Sequence, residues 1–208
     1  MRRYWQVSTL AVAVAVASCS DVVAPTVDPP GTVKPPAELV ILRLPANAPP
    51  LFNDSVAFYA KVDRDDEGII YFKSPSGARG EKFARLRVRK RSLLARPDGT
   101  PFGANDSILI VMKVSDPKQL LVEMRPAGLK FSADDPAELK IEYEATGGDL
   151  DHDGDSGDGD DEKIEQKIAV WRQETLADPF VKIGTIKTEG LRELEAKLTG
   201  FSRYAIAY

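Results

Sequence analysis

From residue 38 onward, apolar and polar side chains alternate with a period of two in one segment after another. Ala137, Leu139, Ile141 and Tyr143 interleave with Glu138, Lys140, Glu142 and Glu144. Successive side chains of a strand point to opposite faces, so this pattern puts one face in a core and the other in water. The run Ile108-Leu109-Ile110-Val111-Met112 is apolar on both faces and suits a central strand. Further strands are expected over 38–44, 55–62, 68–73, 83–93, 119–124, 165–172, 180–187 and 201–208. In 189–199, Leu191, Leu194 and Leu198 have helical spacing, but Leu194, Ala196 and Leu198 also alternate with Glu193, Glu195 and Lys197, which favours a strand. Turn signals separate the segments at Pro97-Asp98-Gly99, Asp116-Pro117, Pro126-Ala127-Gly128 and Asp178-Pro179. Short strands at such spacing predict an all-β fold, an antiparallel β-sandwich over 38–208, either as one unit or as subparts 38–100 and 101–208.

The start of the chain follows another pattern. Arg2 and Arg3 precede an apolar run from Val7 to Ala17. That run is too short for a membrane span, which needs about 20 apolar residues, and fits the apolar stretch of an export signal over 1–18. Val16-Ala17-Ser18-Cys19 resembles the lipobox of bacterial lipoproteins, an aliphatic and two small residues before the cysteine that carries the lipid. Cys19 is the single cysteine of the 208 residues, so no internal disulfide can form. The resemblance makes Cys19 the lipid-attachment site and the membrane a partner through that anchor. Ser20 after it implies outer-membrane delivery in an organism with two membranes. Eight of the 15 prolines fall between Pro25 and Pro50, and 19–37 reads as the lipidated cysteine plus a proline-rich tether.

Composition adds little to the fold and more to the partner. With 43% hydrophobic residues a real core can form. Loss of Arg2 and Arg3 with the leader lowers the formal charge from −4 to −6, which points away from a nucleic-acid partner.

Three passages of the second half resemble the β-sandwich domain shared by ankyrins and netrin receptors, as it appears in bacterial lipoproteins. They are Val122-Glu123-Met124-Arg125-Pro126-Ala127-Gly128-Leu129, the alternating Ala137–Tyr143 segment, and Phe201-Ser202-Arg203-Tyr204-Ala205-Ile206-Ala207-Tyr208. The resemblance starts near Ser107 and would put Trp171 in the strand before the penultimate one. It implies a non-catalytic module for protein contacts and transfers no binding residues.

The strongest chemical signal is the loop after Tyr143. Residues 149–162 carry eight acidic side chains and no Lys or Arg. Asp149, Asp151, Asp153, Gly154 and Asp160 stand at positions 1, 3, 5, 6 and 12 of an EF-hand-type calcium loop, and Asp155 can offer its backbone carbonyl at position 7. Alternate residues of a curled loop aim carboxylates inward, Gly allows the tight turn, and Ca²⁺ takes 6–8 oxygen ligands. The loop departs from that pattern in Asp rather than Glu at position 12, Ser156 at position 8, and the absence of expected flanking helices. The alternative is a solvated acidic loop without an ion. His152, the single histidine, reads as exposed rather than as a transition-metal ligand.

Arg85, Arg87, Arg89 and Arg91 alternate with Leu86 and Val88. They form either an anion-binding face for lipid headgroups, acidic glycan or a partner protein, or a solvated sheet face paired with Glu of a neighbouring strand. The residue inventory does not suit an enzyme. Cys19 is taken by the anchor, His152 sits in the acidic loop, and no Gly-rich loop joins a strand to a helix. The expected function is a membrane-anchored, non-catalytic envelope module that contacts a protein or glycan, with a calcium-binding structural or adhesive domain as the alternative.

Overall fold

The alternation that predicts strands also decides how they stack. The computed structural model describes residues 27–28 and 31–208. Cys19 and the leader lie outside the described residues.

The strands are β1 (Val27–Asp28), β2 (Val33–Lys34), β3 (Ser55–Lys61), β4 (Asp66–Lys73), β5 (Arg79–Val88), β6 (Leu93–Ala95), β7 (Ser107–Val114), β8 (Leu121–Arg125), β9 (Lys130–Phe131) and β10 (Ala137–Glu142). After the helix α1 (Gly159–Lys167) come β11 (Ala169–Gln173), β12 (Phe180–Lys182), β13 (Thr185–Thr188), β14 (Glu193–Leu198) and β15 (Arg203–Ala207). They build a six-stranded sheet of order β1-β13-β14-β10-β5-β4 and a seven-stranded sheet of order β2-β12-β11-β15-β8-β7-β3, with β6 and β9 as a separate pair. The named pairs are antiparallel. The fold is an all-β sandwich.

The core lies between the two sheets. Leu86, Leu139, Ile141 and Leu194 of one meet Ile110, Met112, Val122, Val170 and Ile206 of the other in one cluster of buried side chains. Strands from 38–100 enter both sheets, because β4 and β5 pair within the six-stranded one while β3 pairs with β7 in the other. Both halves of the chain therefore share one core.

Several expected elements take another form. The segment 38–44 makes isolated bridges only, Ile41 to Ala207 and Arg43 to Gln119. It runs as a strap that changes partner. Leu42 N–H bonds the Ile206 carbonyl at 2.9 Å, and Leu44 N–H bonds the Lys118 carbonyl at 2.9 Å. Val40 and Leu42 both bond the last strand region, and the partner changes after Leu42, which cuts the ladder short. The strap buries Leu42 in the main core, while Leu39 and Ile41 cover Trp171, Ala205 and Ala207 on the outer side of the seven-stranded sheet. The expected strand over 83–93 stops at Val88, and Arg91 turns the chain at φ 69°. The expected strand over 165–172 is divided between the end of α1 and β11. The expected 180–187 strand divides at Ile183-Gly184, where the chain crosses between sheets. Within 189–199 the strand covers Glu193–Leu198, preceded by a 3-10 turn. Trp171 lies on β11 with β12 to β15 still to follow, earlier than the resemblance implies. Part of the proline-rich stretch is docked as well, since Val33 and Lys34 pair with Val181 and Phe180.

Leu42 is 1% exposed and Val40 is 49% exposed. Leu42→Ala should cost about 2–5 kcal/mol, whereas Val40→Ala should stay within about 0.5 kcal/mol. Denaturant titration of the two variants measures the difference. Equal effects would mean that the strap does not contribute to the core.

Candidate metal centre

The acidic loop leaves β10 through a 3-10 turn over Glu144–Thr146, closed by Gly147 at φ 72°. Thr146 Oγ1 donates to the Tyr143 carbonyl at 2.7 Å. The loop then curls through three residues of positive φ, His152 at 65°, Gly154 at 97° and Gly157 at 74°. The second is the tight turn expected of that glycine, a conformation that side chains with a Cβ rarely adopt.

Carboxylates hold this curl by accepting backbone N–H groups. Asp149 accepts from Gly154 at 3.2 Å, Asp151 from Asp153 at 3.2 Å, and Asp153 from Asp155 at 2.8 Å. Oxygens of Asp149, Asp151 and Asp153 all lie within 4.8 Å of one another. Calcium–oxygen bonds of roughly 2.4 Å allow two ligands of one ion to be at most about 4.8 Å apart. One oxygen of Asp149, Oδ1, is buried with no hydrogen-bond partner, a costly state for a carboxylate unless a cation or water meets it.

The carboxylate of Asp160 does not join this cluster, nor does that of Asp155, whose expected donor is its backbone carbonyl. The Asp155 carboxylate accepts from Ser156 N–H at 3.0 Å in an exposed position. Asp160 stands apart from the three. The loop is flanked by a helix after all, and Asp160 falls in the first turn of α1, where it pairs with Lys163 at 2.6 Å on the solvent side. The helix starts there because Asp158 caps it, accepting from the N–H groups of Asp160 and Asp161 at 2.9 and 3.0 Å.

The residue that closes the loop is its neighbour, Asp161, which is 2% exposed. Its oxygens accept from Leu150 N–H at 2.6 Å and Gly157 N–H at 2.7 Å, tying the two ends of the loop together. Leu150, 4% exposed, is the loop's anchor in the main core, which Ile164 of α1 also packs against. The spacing Asp158-x-x-Asp161 is a capping signal at a helix start, and it was available in the sequence. Farther along α1, Glu165 accepts from the Tyr143 hydroxyl at 2.8 Å and pairs with Lys187 at 3.9 Å, which fixes the helix to the six-stranded sheet.

Electrostatics separate the two kinds of aspartate. Burial raises the Asp161 pKa, but the backbone N–H bonds outweigh it and hold the carboxyl below its usual 3.8. For Asp151 the N–H of Asp153 pulls the pKa down, yet desolvation and the carboxylates of Asp153, Asp161 and Asp158 outweigh it and raise the pKa. Asp161 is thus satisfied as an anion, whereas Asp151 is crowded by others. Burial, and then the Asp151 charge, raise the Tyr208 hydroxyl. An open cleft of about 470 Å³ between the strap and the loop, lined by Leu39, Arg43, Asp151 and Tyr208 among others, gives solvent access to Asp151.

The arginine series is split. Arg85 and Arg87 lie on β5, Arg89 just beyond its end and Arg91 in the following turn, so they do not share one strand face. Arg87 is ion-paired with Asp65 and Arg89 with Glu138. Nearby, Lys140 bridges Glu193 at 2.6 Å and Glu195 at 2.9 Å. The outer surface of this sheet is therefore a mesh of both signs.

Comparison with protein-family models, curated proteins and solved structures gives no match.

Asp161 provides a pH test. A carboxyl with a lowered folded-state pKa contributes stability that is present above its unfolded value near 3.8 and lost as pH falls through the folded value. Asp161→Ala should cost about 2–3 kcal/mol at pH 7, since two loop N–H groups lose a charged acceptor. The deficit should shrink below about pH 4. Unfolding titrations of both proteins from pH 7 to pH 3 measure it. A deficit constant across that range would show that the charge of Asp161 is not what holds the loop.

Proposed function

We propose that this protein is a lipid-anchored, non-catalytic binding or structural module of the bacterial envelope, and that its acidic loop takes up Ca²⁺. The observation that carries the calcium reading is the buried, unpartnered Oδ1 of Asp149, set among the carboxylates of Asp151 and Asp153 with no Lys or Arg within 149–162. The donors are all hard oxygens, which suit Ca²⁺ rather than a softer metal. Asp149, Asp151 and Asp153 would hold the ion, and its charge would relieve the crowding that raises the Asp151 pKa. A solvated loop without an ion fits less well, because the Asp149–Asp161 segment is already curled by its own hydrogen bonds and anchored through Leu150.

Anchoring rests on Cys19 and its lipobox-like context. The three passages that resemble the ankyrin and netrin-receptor domain fall mainly on β8, β10 and β15, and they favour contact with an envelope protein or glycan over catalysis.

With an extracellular-grade affinity of order 10⁻⁴–10⁻³ M, 10 mM Ca²⁺ should add about 1.4–2.7 kcal/mol of stability. For a domain of this size that raises the melting midpoint by about 3–10 °C. Asp149→Asn/Asp153→Asn should abolish the shift. Melting with calcium and with chelator tests this, and equal midpoints without calorimetric heat would reject the ion. Separately, labelled fatty acid should be incorporated into the wild type and not into Cys19→Ala, which should leave the membrane fraction. Unchanged fractionation and labelling would reject the anchor.

A further inference from the structure

The two outer surfaces of the sandwich are charged very differently. Pairing registers place Lys61 on β3, Lys113 on β7, Arg125 on β8, Arg203 on β15, Lys182 on β12 and Lys34 on β2 on the outward side of the seven-stranded sheet. Glu123 is the one carboxylate on those same strand faces among the described residues. This basic face occurs on a chain whose formal charge is −4. Glu123 pairs with Arg125 at 2.8 Å, and Lys34 lies over the Trp171 ring at 5.5 Å.

The middle of the face also differs along its width. Toward β2, the strap and Phe180 cover its apolar side chains. Toward β3, nothing within the described chain covers the cross-strand pair Tyr59 and Leu109, 59% and 44% exposed, which sits between Lys61 and Lys113. An aromatic and an aliphatic side chain ringed by cations match the chemistry of a phosphate-bearing lipid surface, where rings settle at headgroup level and each cation is attracted to anionic lipid.

We propose that the outward face of the seven-stranded sheet docks on an anionic membrane surface. For its access to a membrane, the proposal rests on the anchoring at Cys19. The covalent reach agrees. β1 holds Val27 and Asp28 at the edge of the six-stranded sheet, and the eight residues from Cys19 to Val27 span at most about 28 Å, more than the roughly 10 Å between packed sheets. The face can therefore lie flat beside its own anchor.

The test uses the full chain with Cys19→Ser in every arm, so that no acyl group contributes, and vesicles of phosphatidylcholine with or without 30% phosphatidylglycerol. Lys61→Glu/Lys113→Glu/Arg125→Glu should weaken binding to the anionic vesicles at least tenfold. Lys73→Glu/Lys82→Glu/Lys197→Glu, with the same charge change on the six-stranded sheet, should weaken it less than threefold. Tyr59→Ser/Leu109→Ser should lower the binding that survives high salt. All changed residues are exposed, and matching melting curves establish that each variant is folded. Equal loss in both charge variants, no preference of the parent for anionic vesicles, or binding to soluble polyglutamate but not to vesicles would overturn the proposal, the last in favour of an acidic protein partner. Because Cys19 is absent from every arm, none of these outcomes depends on whether it is lipidated.

Discussion

Everything in this molecule depends on keeping one set of alternate side chains between the two sheets. Leu139 and Ile141 of β10 are fully buried, while Glu138, Lys140 and Glu142 alternate with them toward the other side. A slip of one residue would drive those charges, with Arg85 and Arg87 of β5, into the core. No arrangement of the interior could compensate for several desolvated ions. The registers of β5, β10 and β14 are therefore set together, and the loops that leave them start from fixed points. The 3-10 turn that leads into the acidic loop begins two residues after the last ladder pair of β10, so that this highly charged segment leaves from a fixed point.

That shape depends on a division of labour among aspartates that composition does not disclose. Asp158 and Asp161 are used up on backbone N–H groups, one capping α1 and the other closing the loop. Asp149, Asp151 and Asp153 each give part of their capacity to the curl and keep the rest together. Asp155 and Asp160 point to solvent or to Lys163. The proposed ion site is thus set within a scaffold of carboxylates that are themselves structural.

Much of this was legible in advance, and the failures share a cause. Period-two alternation found β3, β4, β7, β8, β10 and β15 because each has one face in the core. It failed where the environment changes along a segment. Residues 38–44 change partner after Leu42, 165–172 joins a helix end to a strand, and 180–187 crosses from one sheet to the other. For the candidate site, spacing singled out Asp149, Asp151, Asp153 and Gly154, which are local in sequence, and the fold brings the three carboxylates together and turns the chain at Gly154. Asp160 and Asp161 take opposite roles because the helix start rotates one residue outward and the next inward, and that rotation depends on the cap at Asp158. The arginine series misled for a related reason. Alternation continues past Val88 in the sequence, while the strand itself ends there.

The way the chain enters the sandwich has a mechanical meaning. Were the chain held at Cys19, a pull would reach β1 first, where two residue pairs with β13 form a weak junction, and then β2, where two pairs with β12 form another. Next in line is the strap, gripped at Leu42 by the core and by hydrogen bonds to two separate parts of the seven-stranded sheet. Load would therefore meet a fuse before a clamp. Slack released by β1 and β2 would lengthen the leash by several residues, and the body of the domain, with its acidic loop beside the strap, would stay folded under tension.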